Sequence, residues 1–265
     1  MPAVKRVAVA VLPLALLLPA MSARPEDARF VERSVRVEGE TYRYQIYVPS
    51  GHASAARWPV ILFLHGSGER GSDGVRPTME GLGPAIRRHP AAFPAIVVFP
   101  QARRGHWWDR PMLTQAVAAL DAASAEFHGD PDRTYLTGVS MGGNGAWLLA
   151  ADQPQRFAAL VVVAGFAALP QLMAGADGAI AAVLRAPDPY RAIAERIRHI
   201  PVRLYHGAAD RSVPVSESRK MAAALRAAGA SVEYIEYPGV GHDSWDRAYD
   251  EPDLMPRLLA QRRSR

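Results

Sequence analysis

The stretch Tyr135-Leu136-Thr137-Gly138-Val139-Ser140-Met141-Gly142-Gly143 constrains this chain more than any other. A short apolar, β-prone run ends in Gly-x-Ser-x-Gly, and a pattern of small residues with helical spacing follows at once. Such a strand-to-helix turn holds a serine hydroxyl out where a base can reach it. The turn is tight enough that the positions two before and two after the serine must be small, which Gly138 and Gly142 provide by lacking Cβ. The first amide of the following helix, that of Met141, then points at the place where a negative charge would develop.

The rest of the chain reads as strands alternating with helices. Val35 and Val37, then Tyr42, Tyr44, Ile46 and Val48, alternate as the two strands of an edge hairpin. Pro59–Leu64, Ala95–Phe99 and Phe157–Ala164 are continuous apolar runs, as expected of strands buried on both faces, and Pro201–Tyr205 is read as a further strand. Val232–Tyr237 is read as the last strand. Helices are expected within 73–89, from Pro111 to Phe127, over 187–198, over 214–228 with Gly229 as a stop, and through much of 244–261. Asp130-Pro131-Asp132-Arg133 reads as a turn, and Phe166 to Arg185 reads either as a small cap or as ordinary packed structure. The fold expected is α/β: a mainly parallel, doubly wound sheet with an N-terminal antiparallel edge hairpin.

Residues 1–23 have the pattern of a secretory signal. Lys5 and Arg6 form the charged region, Val7 to Ala20 the apolar one, and Ala20 to Ala23 a small-residue cleavage site. The apolar run is shorter than the roughly 20 residues that span a bilayer, and Pro13 and Pro19 interrupt it. The expectation is an exported protein, periplasmic or extracellular, whose residues 24–265 form one domain. The formal net charge of +5 is dispersed and two of those charges lie in the leader, so no basic stripe points to nucleic acid. Absence of cysteine excludes disulfides, thiol catalysis and thiolate metal sites. No metal-ligand spacing appears, and neither metal nor cofactor is implied.

Candidate site residues lie where strands leave the sheet, the edge at which open α/β sheets bind ligands. Asp210 and His242 follow Ser140 in the chain order expected of a nucleophile, an acid and a base. His242 sits on a short glycine-flanked loop after the last strand, and Asp210 is preferred to Asp243, with Asp188 and Asp246 as distant alternatives. His65 and His206 are assigned to hydrogen bonding that shapes loops. The loop His65-Gly66-Ser67-Gly68-Glu69-Arg70-Gly71 would supply a second oxyanion-binding amide, from Ser67 first and Gly68 second. Trp107 and Trp108 are read as a hydrophobic wall for substrate or as cover for the core. His106 is a further pocket candidate. Glu69 and Arg70 are read as binding a polar or anionic substrate group or as a structural ion pair.

Leu64–Gly71, Phe99-Pro100-Gln101 with Trp107-Trp108, Leu136–Gly143, Tyr205–Val215 and Glu236–Trp245 together resemble a branch of the serine α/β-hydrolases. That branch comprises exported bacterial phospholipase/carboxylesterase-like and "predicted peptidase" proteins, related to dienelactone hydrolases and polyhydroxybutyrate depolymerase-type esterases. The resemblance implies a carboxylic ester hydrolase acting on small or polymer-linked esters. Dienelactone hydrolases proper use a cysteine where Ser140 stands here, which argues against that activity. The competing readings are a peptidase or amidase with the same three residues, and a non-catalytic binding protein on a hydrolase fold.

Overall fold

A computed structural model describes residues 28–52, 56–167 and 176–263. The expected leader and residues 168–175 of the expected cap stretch lie outside the described residues.

The hairpin comes first. Strands β1 (Arg29–Val37) and β2 (Glu40–Val48) are joined by Glu38 and Gly39, with φ of 51° and 87°. Two successive positive φ values give the two-residue turn whose twist matches the strands it joins, and glycine takes the second position without strain. The remaining strands are β3 (Trp58–Leu64), β4 (Ile96–Pro100), β5 (Gly129–Val139), β6 (Ala159–Val163), β7 (Val202–Gly207) and β8 (Val232–Tyr237). All eight form one sheet in the order β1-β2-β4-β3-β5-β6-β7-β8. β2 pairs antiparallel with both β1 and β4, and every other pair is parallel. The antiparallel hairpin therefore caps one edge of a parallel sheet.

Continuous apolar strands and period-two geometry are reconciled by two cores. Val60, Leu62 and Leu64 of β3 face one core, and Ile61 and Phe63 face the other. Leu160 and Val162 of β6 divide from Val161 and Val163 in the same way. Both faces are covered, so alternation of side no longer means alternation of polarity. On the first face lie α2 (Arg110–Glu126), α3 (Met141–Asp152), α4 (Gly178–Arg185), α5 (Pro189–Ile197) and α6 (Ser216–Ala227). On the second lie α1 (Leu82–Arg88), α7 (Trp245–Tyr249) and α8 (Leu254–Leu259).

Three local expectations change. The 130–133 turn is absorbed into β5 as an irregularity: Trp58 pairs with Gly129 but Val60 pairs with Thr134. Asp130 still makes the turn bonds there, accepting from Asp132 N at 3.0 Å and Arg133 Nε at 2.7 Å. The single last helix is two short ones, α7 and α8, with Pro252 between them. Within the ambiguous 166–185 stretch, α4 packs as ordinary structure, burying Ile180, Ala181 and Val183. Arg110 reinforces it by donating to Asp152 and Asp177 at once.

Candidate active site

Ser140 lies between β5 and α3 with φ 52° and ψ −116°, a backbone conformation that residues bearing a Cβ rarely adopt. Its surroundings hold it there. Its N–H donates to Val163 O at 2.9 Å, and its carbonyl accepts from Asn144 N at 3.2 Å, starting α3. A Cβ at Gly142 would lie 1.8 Å from Leu64 O, and one at Gly138 would lie 2.2 Å from Gly142 O. The motif's two glycines are thus required by contact with backbone, which cannot swing aside.

The β3 exit is fixed by a buried polar frame. His65 is 1% exposed; its Nδ1–H donates to Gly66 O at 2.6 Å, and its Nε2 accepts from Ala102 N at 2.9 Å. Those partners require a neutral ring, and burial pushes its pKa down to about 4. Gln101 Nε2 donates to Glu69 O at 2.8 Å, and Arg70 Nε donates to Ser67 O at 2.8 Å. Ser67 opens a 3-10 turn, Ser67–Glu69, just as Met141 opens α3. The N–H of a first helical residue has no acceptor within its own helix, so both are available to an incoming anion. Of the two proposed loop donors, Ser67 lines the cleft beside Ser140 and Gly68 does not.

Beyond β7 and β8 the chain supplies the remaining groups. Asp210 Oδ1 accepts from Ser212 N at 2.8 Å and Val213 N at 2.9 Å. Its Oδ2 accepts from His242 Nδ1 at 2.7 Å and from His206 Nε2 at 3.1 Å. Burial alone would raise the Asp210 pKa, but the His242 bond and the two amide bonds outweigh it and hold the carboxyl below its usual range. His242 Nε2 lies 2.9 Å from Ser140 Oγ. With Nδ1–H committed to the carboxylate, Nε2 carries the lone pair and Oγ–H donates to it. Gly207 allows this approach, since a Cβ there would lie 2.1 Å from Gly241 O in the His242 loop.

His206 extends the line behind the acid. Its Nε2 also faces Val213 O at 3.0 Å, and its Nδ1 faces Ser218 Oγ at 2.7 Å. Two acceptors on Nε2 place the proton there, so Nδ1 accepts from the serine hydroxyl. Burial lowers the His206 pKa and favours this neutral form. Asp210 is consequently anchored by four donors, two of them rings.

The cleft over Ser140 has a volume of 510 Å³. Trp107, Phe166, Tyr190, Val213 and Pro214 form its apolar walls, with Ser67, Ser212 and Glu217 as polar points. Three of the expected pocket residues are not in it. Trp108 is fully buried against His65, where Nε1 donates to His65 O at 3.0 Å and the two rings lie 4.9 Å apart, tilted by 59°. The pair of tryptophans therefore divides, one to the cleft and one to the core. His106 Nδ1 turns 2.8 Å from Asp109 Oδ2 instead, at the N-cap of α2. Glu69 turns toward Glu80, whose pKa burial and that neighbouring carboxylate raise to about 8. Arg70, offered as its ion-pair partner, lies 5.9 Å over the Trp107 ring and donates to the loop carbonyls of Ser67 and His106. Of the alternative acids, Asp188 caps α5, accepting from Arg191 N at 3.1 Å, and Asp246 lies in the first turn of α7. Tyr190, Glu217 and Phe166 were not anticipated. Only Phe166 carried a signal, following a buried strand at the ligand edge.

Among the described residues no group of three or more His, Cys, Asp or Glu is arranged to hold a metal ion. No helix among them is long and apolar enough to cross a membrane.

An eight-stranded sheet with this hairpin edge, and a serine held at a strained strand-to-helix turn, define an α/β-hydrolase of the serine esterase-like kind. Within that class the chain belongs to the prolyl oligopeptidase family, which matches residues 99–260. A "putative carboxymethylenebutenolidase" of Methylorubrum extorquens is 33% identical over 48% of this chain and 41% of its own length. An "uncharacterized secreted protein" of Arthroderma benhamiae is 28% identical over 71% of this chain. This chain spans 22% of that relative's length. Among solved structures, a thermostable esterase aligns with a TM-score of 0.73 at 26% identity, over 88% of this chain and 63% of its own.

Proposed function

We propose that this protein is an exported hydrolase of carboxylic esters that works through an acyl-enzyme on Ser140, with His242 as the base and Asp210 as its orienting acid. The observation that carries the reading is the unbroken line from Asp210 Oδ2 to His242, at 2.7 Å, and on to Ser140 Oγ, at 2.9 Å. Ser140 Oγ attacks the ester carbonyl carbon while His242 Nε2 takes its proton. The carbonyl oxygen becomes an oxyanion facing the Met141 and Ser67 amides, each worth roughly 3 kcal/mol of transition-state stabilisation. Collapse expels the alkoxide, which leaves as the alcohol with the proton from His242. Water then attacks the acyl-enzyme by the same route, releasing the acid and restoring Ser140. Asp210 stays ionised throughout and holds the imidazole in the tautomer that accepts from serine.

A relative named as a putative carboxymethylenebutenolidase and an esterase structural neighbour support ester chemistry, and the secreted relative supports export. The family's name supports a second reading, a peptidase with the same residues. Turnover of p-nitrophenyl acetate and of aminoacyl amides by wild type and Ser140→Ala, with fluorophosphonate labelling, separates the two. Ester turnover with labelling at Ser140 is expected. Amide turnover alone selects the peptidase, and failure to label Ser140 refutes both. Export is checked by mass spectrometry of protein from the medium or periplasm, expected to begin near Ser22 to Arg24.

A further inference from the structure

The walls of the cleft carry information about the substrate that the reacting groups do not. Trp107, Phe166 and Tyr190 present three aromatic rings to the space over Ser140. Trp107 and Phe166 meet edge to face at 6.4 Å. Glu217, 19% exposed, is the one formally charged side chain lining this space among the described residues. Its Oε2 accepts from Tyr190 OH at 2.8 Å, which leaves Oε1 with only a loose partner, Lys220 Nζ at 3.8 Å. Lys220 is 58% exposed and lies on the far side of Tyr190, in a separate groove between α5 and α6. Two rings also carry a protein cation, Arg70 over Trp107 at 5.9 Å and Lys220 over Tyr190 at 5.4 Å, but neither cation lines the cleft, so the charge that faces the space itself is the Glu217 carboxylate.

From this geometry we infer that the cleft selects substrates bearing an alkylammonium group, held by Glu217 and the rings of Trp107, Phe166 and Tyr190. The chemistry is that of a compact, weakly hydrated cation. Aromatic faces attract it through their quadrupoles, and one nearby carboxylate supplies the charge complement without stripping a strongly hydrated ion. A neutral group of the same shape would gain the apolar contact but not the electrostatic part, and an anionic group would be repelled. The Tyr190 bond gives Glu217 a fixed position, so the site is formed before substrate arrives. The inference rests on the esterase reading for its substrate, but the recognition itself is measurable without turnover.

Choline and its uncharged carbon isostere, 3,3-dimethylbutan-1-ol, are compared as ligands by calorimetry and as competitive inhibitors of p-nitrophenyl acetate hydrolysis. Wild type is expected to bind choline at least about tenfold more tightly, a difference of about 1.4 kcal/mol. In Glu217→Gln, which can still accept from Tyr190, that ratio should fall toward one. In Lys220→Met, which removes the competing cation, it should rise. Ethanolamine run alongside separates a primary from a quaternary head. Equal binding of choline and the isostere by wild type overturns the inference, as does a preference that Glu217→Gln leaves intact. Selective choline binding without ester turnover would overturn the esterase reading and leave this one standing.

Discussion

Replacing Asp210 by Asn tests the proposed mechanism at its most specific point, because size is conserved and only hydrogen-bond polarity changes. In the native site all four groups facing the carboxylate donate: Ser212 N, Val213 N, His242 Nδ1 and His206 Nε2. An amide has one oxygen for them. The two backbone donors cannot turn, so they claim it, and the NH₂ is left facing both rings. His206 tolerates this, since its Nε2–H retains Val213 O at 3.0 Å. His242 has no second acceptor in the line and must move its proton to Nε2, which then meets Ser140 Oγ–H donor to donor. The base loses its lone pair while the geometry survives. A wrong-tautomer histidine costs about 10⁴ in kcat, or about 5 kcal/mol of barrier. The effect on stability is smaller, on the order of 1–3 kcal/mol for lost buried bonds to a charged acceptor. Stopped-flow acylation with p-nitrophenyl acetate, alongside thermal denaturation, measures both. A folded Asp210→Asn variant that acylates within tenfold of wild type, while Ser140→Ala is inactive, would refute the tautomer argument and move the acid elsewhere.

Three other outcomes are expected. Gly142→Ala should destabilise by on the order of 3–5 kcal/mol, because its Cβ would meet Leu64 O at 1.8 Å; chemical denaturation reads it, and a loss under 1 kcal/mol contradicts the elbow packing. His65 is held neutral down to about pH 4 in the folded state, whereas an unperturbed histidine titrates at 6.5. The unfolded chain therefore binds the extra proton between those values, and stability should fall as pH drops from about 6.5 to 4, by about 3 kcal/mol from this residue. A urea midpoint that is flat across that window refutes the frame built on His65. Glu80 behaves in the opposite sense: its folded pKa of about 8 lies above the 4.5 of a free carboxyl, so stability is lost as pH rises between them. Glu80→Gln, which keeps a donor toward Glu69, should raise Tm at pH 8.5 by a few degrees and change it little at pH 4.5. An equal shift at both pH values would show that packing rather than titration is responsible.

What could be read from the chain alone is what local covalent and steric rules dictate. Continuous Val, Ile, Leu and Phe runs are strands buried on both faces wherever they fall between helical periods. Gly-x-Ser-x-Gly has to be a tight turn, because the Cβ atoms it lacks would strike Leu64 O and Gly142 O. That serine, acid and histidine each lie just past a strand fits a sheet that delivers its parallel strand ends to one edge, and their order in the chain is what the resemblance to serine α/β-hydrolases implies. Partner choice among side chains does not follow from such rules. Trp107 and Trp108 are adjacent and chemically identical, yet one lines the cleft and the other is fully buried against α3, where Gly145 leaves room for it: a Cβ there would lie 2.6 Å from Trp108 Cβ. Glu217 and Tyr190 reach the cleft only because α5 and α6 pack side by side over the β7 exit. His206 joins Asp210 only because β7 ends in a turn that folds the aspartate back onto its own strand. Those contacts bring together residues far apart in the chain or on opposite sides of a turn, and no local period records them. Only the packed structure decided which charge and which rings face the substrate.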